Sequence, residues 1–443
     1  MTNLVRGLNF WDALAIVVGS IIGTGVFLKA SIMAHHLGSA TAVLAAWIVA
    51  GLLSLCGALT YAEIGSRFPV AGGEYIYLRE TYGRLVAFLY GWTRFWVGSP
   101  ASIAAYGVGA ATFLASVVSL SSFSGPSGVA IAFVLLFTVI NCAAVSVGGK
   151  IQTFLTGLKV VLIIGVTAGI FAFSSGGSGV GQEASTATGG FSMGAFSLAL
   201  IAALWAFDGW NNLPMAAGEV KNPQRNIPIA IVFGTAGVVV VYTAINAAYF
   251  YSLPFDAILK ANSSLNPDAP AVATLATASF LGAGGTAAMS LLFVLSALGS
   301  MNGSILTNAR VPYAMARDGL FFMSLGKIDE KTSVPIKSIL IQGALACGLA
   351  LSGSFDQLTD YVVVTSWIFY ALVGVAVFLA RRRTDLPAAT YHTFAYPYLP
   401  ALFVVASVAL LVNTLIASPR DSLVGLGFVM LGIPVYGFMA RGR

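Results

Sequence analysis

Two short runs interrupt an otherwise apolar chain where polar chemistry could take place. The first reads Gly19-Ser20-Ile21-Ile22-Gly23-Thr24-Gly25-Val26-Phe27, with glycines and hydroxyl residues crowded into one helical stretch. That is poor helix filling. The second reads Trp205-Ala206-Phe207-Asp208-Gly209-Trp210-Asn211-Asn212-Leu213-Pro214, where Asp, Gly, Asn and Pro interrupt an apolar helix. An unwound turn exposes backbone N–H and C=O groups, which hydrocarbon does not tolerate unless the turn lines a cavity with a polar occupant. The half-helix after Gly23 would present free N–H groups and a positive dipole end to a carboxylate. Carbonyls ending the preceding half-helix suit an ammonium. Two such breaks facing each other make a site for a zwitterion. The second break brings Trp205, Ala206, Phe207, Asp208, Gly209 and Asn211 as its candidate binding residues. Glycines alone also permit close helix packing; two breaks at matched positions favour the cavity.

Two ionisable residues in apolar surroundings add to this pair. Lys159 falls well inside an apolar stretch, too deep for its ammonium to reach bulk water fully. A charge there costs at least ~2.5–3.5 kcal/mol on insertion scales. Its expected partners are carbonyls of the broken first helix near Gly19, and the alternative is a lysine that only props helices together. Asp208 is open to several roles: attracting cationic substrates, binding a substrate ammonium, carrying a coupled proton, or capping the break. Arg94 and Glu219 are expected in internal ion pairs, and Asp12 as a cap or gate residue at the start of the first span.

The elements that must position these residues are membrane spans. Of 443 residues, 58% are hydrophobic and 9% charged, whereas soluble domains carry roughly 25% charged residues. Apolar stretches of about 20 residues, the length that crosses a bilayer as helix, place spans at roughly 10–34, 40–62, 85–117, 127–147, 151–173, 194–219, 227–252, 271–306, 335–353, 358–380, 397–417 and 421–440. This is an all-α integral membrane protein of twelve expected transmembrane helices, without the short alternating segments of a β-barrel. With the N-terminus in the cytoplasm, most Lys and Arg residues fall inside; Lys29, Lys260 and Arg420 fall outside and Arg94 and Lys159 within spans. The positive-inside rule therefore puts both termini in the cytoplasm. The first apolar stretch is too long for a signal-peptide core, so no cleavable signal is expected.

A Gly/Ser/Thr-rich external loop at 174–193 follows span five. An odd number of preceding spans starts the second block on the opposite face, so a five-span repeat there would be inverted. The expected divisions are 1–173, the loop at 174–193, 194–383, and a final pair of helices at 384–443.

Other function classes lack their residues. No Walker motif is present for cis ATP-driven transport, and no HExxH or Ser-His-Asp grouping for a membrane enzyme. His35 and His36 alone do not make a metal site, and no cofactor is expected. Cys56, Cys142 and Cys347 sit in apolar stretches, as packing residues do. Basic residues spread over many loops argue against nucleic acid.

The first run resembles the first-helix signature of the amino acid–polyamine–organocation superfamily. Trp205–Asn211 and the following Gly218-Glu219-Val220-Lys221-Asn222-Pro223-Gln224-Arg225-Asn226-Ile227-Pro228 resemble those of its L-type amino acid transporter branch. Tyr61-Ala62-Glu63, Gly72-Gly73-Glu74-Tyr75-Ile76-Tyr77-Leu78, Asn308-Ala309-Arg310 and Ala316-Arg317-Asp318-Gly319 match in order. The resemblance implies a leucine-transporter-type fold of five plus five inverted helices with broken helices one and six, then two more. It implies that backbone at Thr24 and Gly25 holds the substrate carboxylate, and that carbonyls of Ile21, Trp205 and Asp208 hold the amino group. Trp205 and Phe207 would shape the side-chain pocket and outer gate. Tyr242 would be a gating tyrosine, and Lys159 would stand near the place of a sodium ion in sodium-coupled relatives. Eukaryotic members of the branch bond a heavy subunit through a cysteine between spans three and four; none is present here, so no such partner is expected.

The expectation is therefore a bacterial-type, sodium-independent permease in the cytoplasmic membrane. It would move small or medium neutral L-amino acids such as alanine, serine or branched-chain types by alternating access, as an exchanger (antiporter). The alternatives are a proton-coupled amino acid symporter and a cationic amino acid or polyamine carrier.

Overall fold

The computed structural model describes residues 4–120, 125–174, 192–263, 265–266, 269–352, 355–417 and 419–441. Of the Gly/Ser-rich loop expected at 174–193, residues 175–191 lie outside the described residues. In chain order the α-helices are α1 (Phe10–Ile21), α2 (Gly25–Leu37), α3 (Ala40–Arg67), α4 (Glu74–Tyr82), α5 (Arg84–Thr93), α6 (Ser99–Ala115), α7 (Gly125–Asn141), α8 (Val145–Phe173), α9 (Met193–Ala206), α10 (Pro223–Ser252), α11 (Phe255–Leu259), α12 (Val272–Leu281), α13 (Ala283–Asn308), α14 (Arg310–Arg317), α15 (Ile336–Ser352), α16 (Phe355–Arg382), α17 (Tyr398–Ala417) and α18 (Pro419–Arg441). A π-helical turn at Arg94–Gly98 joins α5 to α6, and 3₁₀ turns occupy Leu213–Glu219 and Met323–Gly326. Among the described residues there are no strands, only two isolated β-bridges.

Among the described residues, eight helical stretches are long and apolar enough to cross a membrane, and α7, α9, α12 and α15 are shorter apolar helices. The chain is thus a multi-pass membrane protein. Its polarity is arranged accordingly: Val405, Ile416, Leu431 and Phe438 of α17 and α18 point outward, while Gln152, Lys159, Asn302 and Arg310 are buried. The single span expected over 271–306 is instead two helices, α12 and α13, parted at Gly282 with φ of +57°. Only a residue without Cβ adopts that backbone at little cost.

The helices that carry the two breaks are held at the centre. α1 packs against α8, α10 and α13, and α2 lies along α9. α1 begins with a capping box in which Asn9 Oδ1 accepts from the Asp12 amide at 3.0 Å and the Asn9 amide donates to Asp12 Oδ2 at 2.9 Å. That pairing satisfies two donors that a helix start leaves open. Just before it, the Leu8 amide donates to Glu219 O at 2.9 Å and the Lys221 amide to Leu8 O at 2.8 Å. The chain leaves this strap along α1 and returns to it after α9, so the two interrupted helices run in opposite directions.

Next to the strap, Glu219 accepts from Arg310 Nε at 2.6 Å and Nη2 at 2.8 Å, with both side chains buried. A two-point Arg–carboxylate pair fixes geometry as well as charge, and removing one partner leaves the other charged and dry. Glu219→Ala is expected to destabilise the fold by about 3–5 kcal/mol. A fall in the thermal unfolding midpoint of the purified protein checks this; an unchanged midpoint would mean that Arg310 has found another counter-charge.

Candidate functional site

The two breaks meet. α1 ends at Ile21 and α2 begins at Gly25, while α9 ends at Ala206 and the chain passes through turns to Leu213. A Cβ built on Gly25 would fall 2.7 Å from Ala206 Cβ and 2.9 Å from Ala206 Cα. Only glycine lets the two half-helices approach this closely. Gly209, with φ of +118°, crosses the first break so tightly that a Cβ there would lie 2.8 Å from the Ser20 backbone.

Between the breaks is a cavity lined by Ile21, Gly23, Thr24 and Gly25 on one side and by Trp205, Ala206 and Asp208 on the other. Ser20, and Ser102, Ala105 and Tyr106 of α6, complete the lining. The centre of a water-sized sphere can move within about 50 Å³ of it. One water needs about 10–15 Å³ by that measure, so the space accommodates a few waters or a small polar solute. The amides of Thr24, Gly25 and Val26 donate to no backbone carbonyl among the described residues. They form the positive end of α2. Across the break, Ile21 O accepts from the Gly23 amide at 2.7 Å and Trp205 O from the Asp208 amide at 3.2 Å.

The carbonyls exposed by the first break are themselves anchored. Lys159 of α8 is fully buried, and its Nζ donates to Gly19 O at 2.7 Å, Ile22 O at 2.6 Å and Ser296 O at 3.3 Å. Three donors meet three oxygens, the full capacity of an ammonium. Ser300 Oγ donates to Gly19 O at 3.0 Å, and Ser296 Oγ lies 3.0 Å from both Ile22 O and Gly23 O. Tyr242 of α10 bridges the breaks: its hydroxyl lies 2.9 Å from Ile21 O and 3.1 Å from Ala206 O.

Not every residue singled out from the sequence faces the cavity. Phe207 is fully buried and packs on Trp47 and Tyr242, with ring centroids 5.9 and 4.9 Å away, and it is not in the cavity lining. Trp205 does line the cavity, and the Lys29 ammonium sits 4.6 Å over its ring, a cation–π contact. Gly19 contributes its carbonyl to Lys159. Asn211 points away, donating to Glu74 Oε1 at 3.0 Å and Tyr370 Oη at 3.1 Å. Arg94, expected in an ion pair, bonds instead to the amide oxygens of Asn212 and Asn308.

Asp208 Oδ1 accepts from the Tyr370 hydroxyl of α16 at 2.7 Å. Sequence reasoning missed Tyr370, Ser102 and Tyr106. Tyr106 left a faint signal, as the one aromatic residue of Ser102-Ile103-Ala104-Ala105-Tyr106-Gly107; Tyr370 left none.

The family model described as amino acid permease matches residues 8–439. The chain is 34% identical to the serine/threonine exchanger SteT of Bacillus subtilis (strain 168), covering 100% of this chain and 98% of that one. It is 29% identical to the b(0,+)-type amino acid transporter 1 of Mus musculus, over 98% of this chain and 88% of the relative. To the cystine/glutamate transporter of Homo sapiens it is 27% identical, over 98% and 85% of the two chains.

Proposed function

Because this chain belongs to the amino acid permease family, in the L-type branch of the amino acid–polyamine–organocation superfamily, we propose that it exchanges small neutral L-amino acids across the membrane without sodium. The observation that carries this reading is one small cavity that the start of α2, with its free amides, shares with Trp205, Ala206 and Asp208 at the carbonyl end of α9. A carboxylate and an ammonium on a single carbon satisfy both ends. The cavity's size favours serine, alanine or threonine over large side chains, and a serine/threonine exchanger stands among the relatives.

Sodium independence rests on Lys159. Its ammonium fills a ring of oxygens from Gly19, Ile22 and Ser296 that would otherwise suit a monovalent cation. The antiparallel run of α1 and α9 supports two inverted five-span repeats, 1–173 and 194–383, joined by the external loop and followed by two further spans at 384–443. The bias of basic residues supports both termini on the cytoplasmic side of a bacterial-type inner membrane, in a chain read as twelve spans. Transport without a disulfide-linked subunit is supported by the cysteines: of Cys56, Cys142 and Cys347, the three in the sequence, none lies between α6 and α7.

Asp208 supports a second reading as a proton-coupled or cationic carrier, since this acidic residue lines the cavity. Its hydrogen bond from Tyr370 supports instead a closure beneath the substrate. Asp208→Asn is expected to slow exchange about tenfold while leaving serine strongly preferred over arginine and putrescine, measured by competition against labelled serine in preloaded proteoliposomes. A switch in preference would favour the cationic carrier. Uptake driven by a pH gradient in the unsubstituted protein and lost in Asp208→Asn would favour proton symport.

A further inference from the structure

Beside the first cavity is a second, on the side of Asp208 toward the strap. It is lined in part by Glu74, Tyr90, Arg94, Phe369 and Tyr370. Glu74 lies near the strap because the Gly72 amide just before it donates to Met215 O at 2.9 Å. Tyr370 links the cavities: it lines the second, and its hydroxyl donates to Asp208, which lines the first. In this conformation the second cavity offers about 10 Å³ to a water-sized centre, the space of one water.

Its polar groups are unusual for a structural core. Glu74 is fully buried; Oε1 accepts from Tyr61 at 2.6 Å and from Asn211 at 3.0 Å, while Oε2 has no hydrogen-bond partner among the described residues. The Tyr90 hydroxyl, also buried, has none within bonding distance either, and it faces Glu74. Among the described residues Arg94 hydrogen-bonds only neutral amide oxygens, Asn308 Oδ1 at 2.9 and 3.2 Å and Asn212 Oδ1 at 3.1 Å. No salt bridge joins Glu74 to Arg94 among the described residues. Two opposite charges are therefore dry, close to one cavity and not joined. Burying both is costly, and direct contact would recover part of that cost. Arg94 also opens the π-helical turn Arg94–Gly98, a distortion frequent at functional sites.

We infer that this cavity is a second, transient station for the transported zwitterion on its way to the cytoplasmic face. The planar Arg94 guanidinium takes the carboxylate in a two-point contact. Glu74 Oε2 and the Tyr90 hydroxyl take the ammonium. The station opens when the Tyr370–Asp208 hydrogen bond breaks and the Tyr370 ring withdraws, merging the two cavities. The inference rests on the exchange reading and on the proposed orientation.

The test compares labelled serine exchange from the two faces, using right-side-out cells and inverted membrane vesicles from the same cells. For Arg94→Gln and Glu74→Gln the apparent KM at the cytoplasmic face is expected to rise about tenfold, with the outer KM changed less than about twofold. Arg94→Lys keeps the charge without the planar fork and is expected to fall between. Should the buried-charge variants fail to fold, Tyr90→Phe removes only a hydroxyl without a partner; its cytoplasmic KM is expected to rise about threefold. Equal shifts at both faces, or no shift in any folded variant, would overturn the inference. Absence of exchange in the unsubstituted protein would instead overturn the function on which it rests.

Discussion

Lys159→Ala is expected to lower exchange at least ~100-fold while leaving a folded protein, a loss of about 2.7 kcal/mol in the rate-limiting step. The ammonium holds the carbonyl end of α1 from α8, meeting Gly19 O, Ile22 O and Ser296 O. A helix C-terminus carries partial negative charge, and a buried cation beside it contributes up to ~2 kcal/mol. Alanine removes that charge and the link from α8 to α1 and α13. The Ser296 and Ser300 hydroxyls still bond the same carbonyls, so the break keeps part of its anchoring and folding survives. Exchange in proteoliposomes, read beside the thermal unfolding of the same preparation, checks both halves. Near-normal exchange would mean that Lys159 only props helices together.

Gly25→Ala is expected to weaken substrate binding about 100-fold, or about 2.7 kcal/mol. The new methyl would sit 2.7 Å from Ala206 Cβ, 2.9 Å from Ala206 Cα and 3.0 Å from the Trp205 ring. The opposing backbone atom cannot rotate away, so α2 and α9 must separate at an overpacking cost of roughly 1–3 kcal/mol. Separation pulls the amides at Thr24 and Gly25 away from the carbonyl at Trp205, and no single zwitterion then spans both. Gly23→Ala is the matched control. The nearest atom to its methyl is Ser300 Oγ at 3.7 Å, so it only takes up cavity space and should weaken binding by about tenfold or less. Equilibrium binding of labelled serine to the purified variants ranks them; Gly25→Ala binding as well as Gly23→Ala would contradict the close-approach account.

What the sequence disclosed depended on local conflict. Glycines, Asn and Pro inside apolar runs contradict helix propensity, and that exposed both breaks. Lys159 stood out because a charge at that depth needs a reason to be there. The remainder is tertiary. Tyr370, Glu74 and Arg94 are far apart in the chain and come together only through packing, so no spacing rule joins them. The resemblance groups Phe207 with Trp205 as pocket residues; two residues along a helix turn about 200°, and Phe207 packs on Trp47. Gly282 sat in an apolar run that reads as one span, since an isolated glycine does not say whether it is packed or bent. The opposite directions of α1 and α9 were expected from the odd number of preceding spans, but the Leu8–Glu219 strap that brings both to one end had no signal in the pattern.

Exchange is most directly tested by uptake of labelled serine into proteoliposomes that are empty or preloaded with unlabelled serine, without sodium and without a pH gradient. The account predicts strong uptake into preloaded vesicles and little into empty ones. Equal uptake into both, or uptake only after sodium or a proton gradient is supplied, would contradict it.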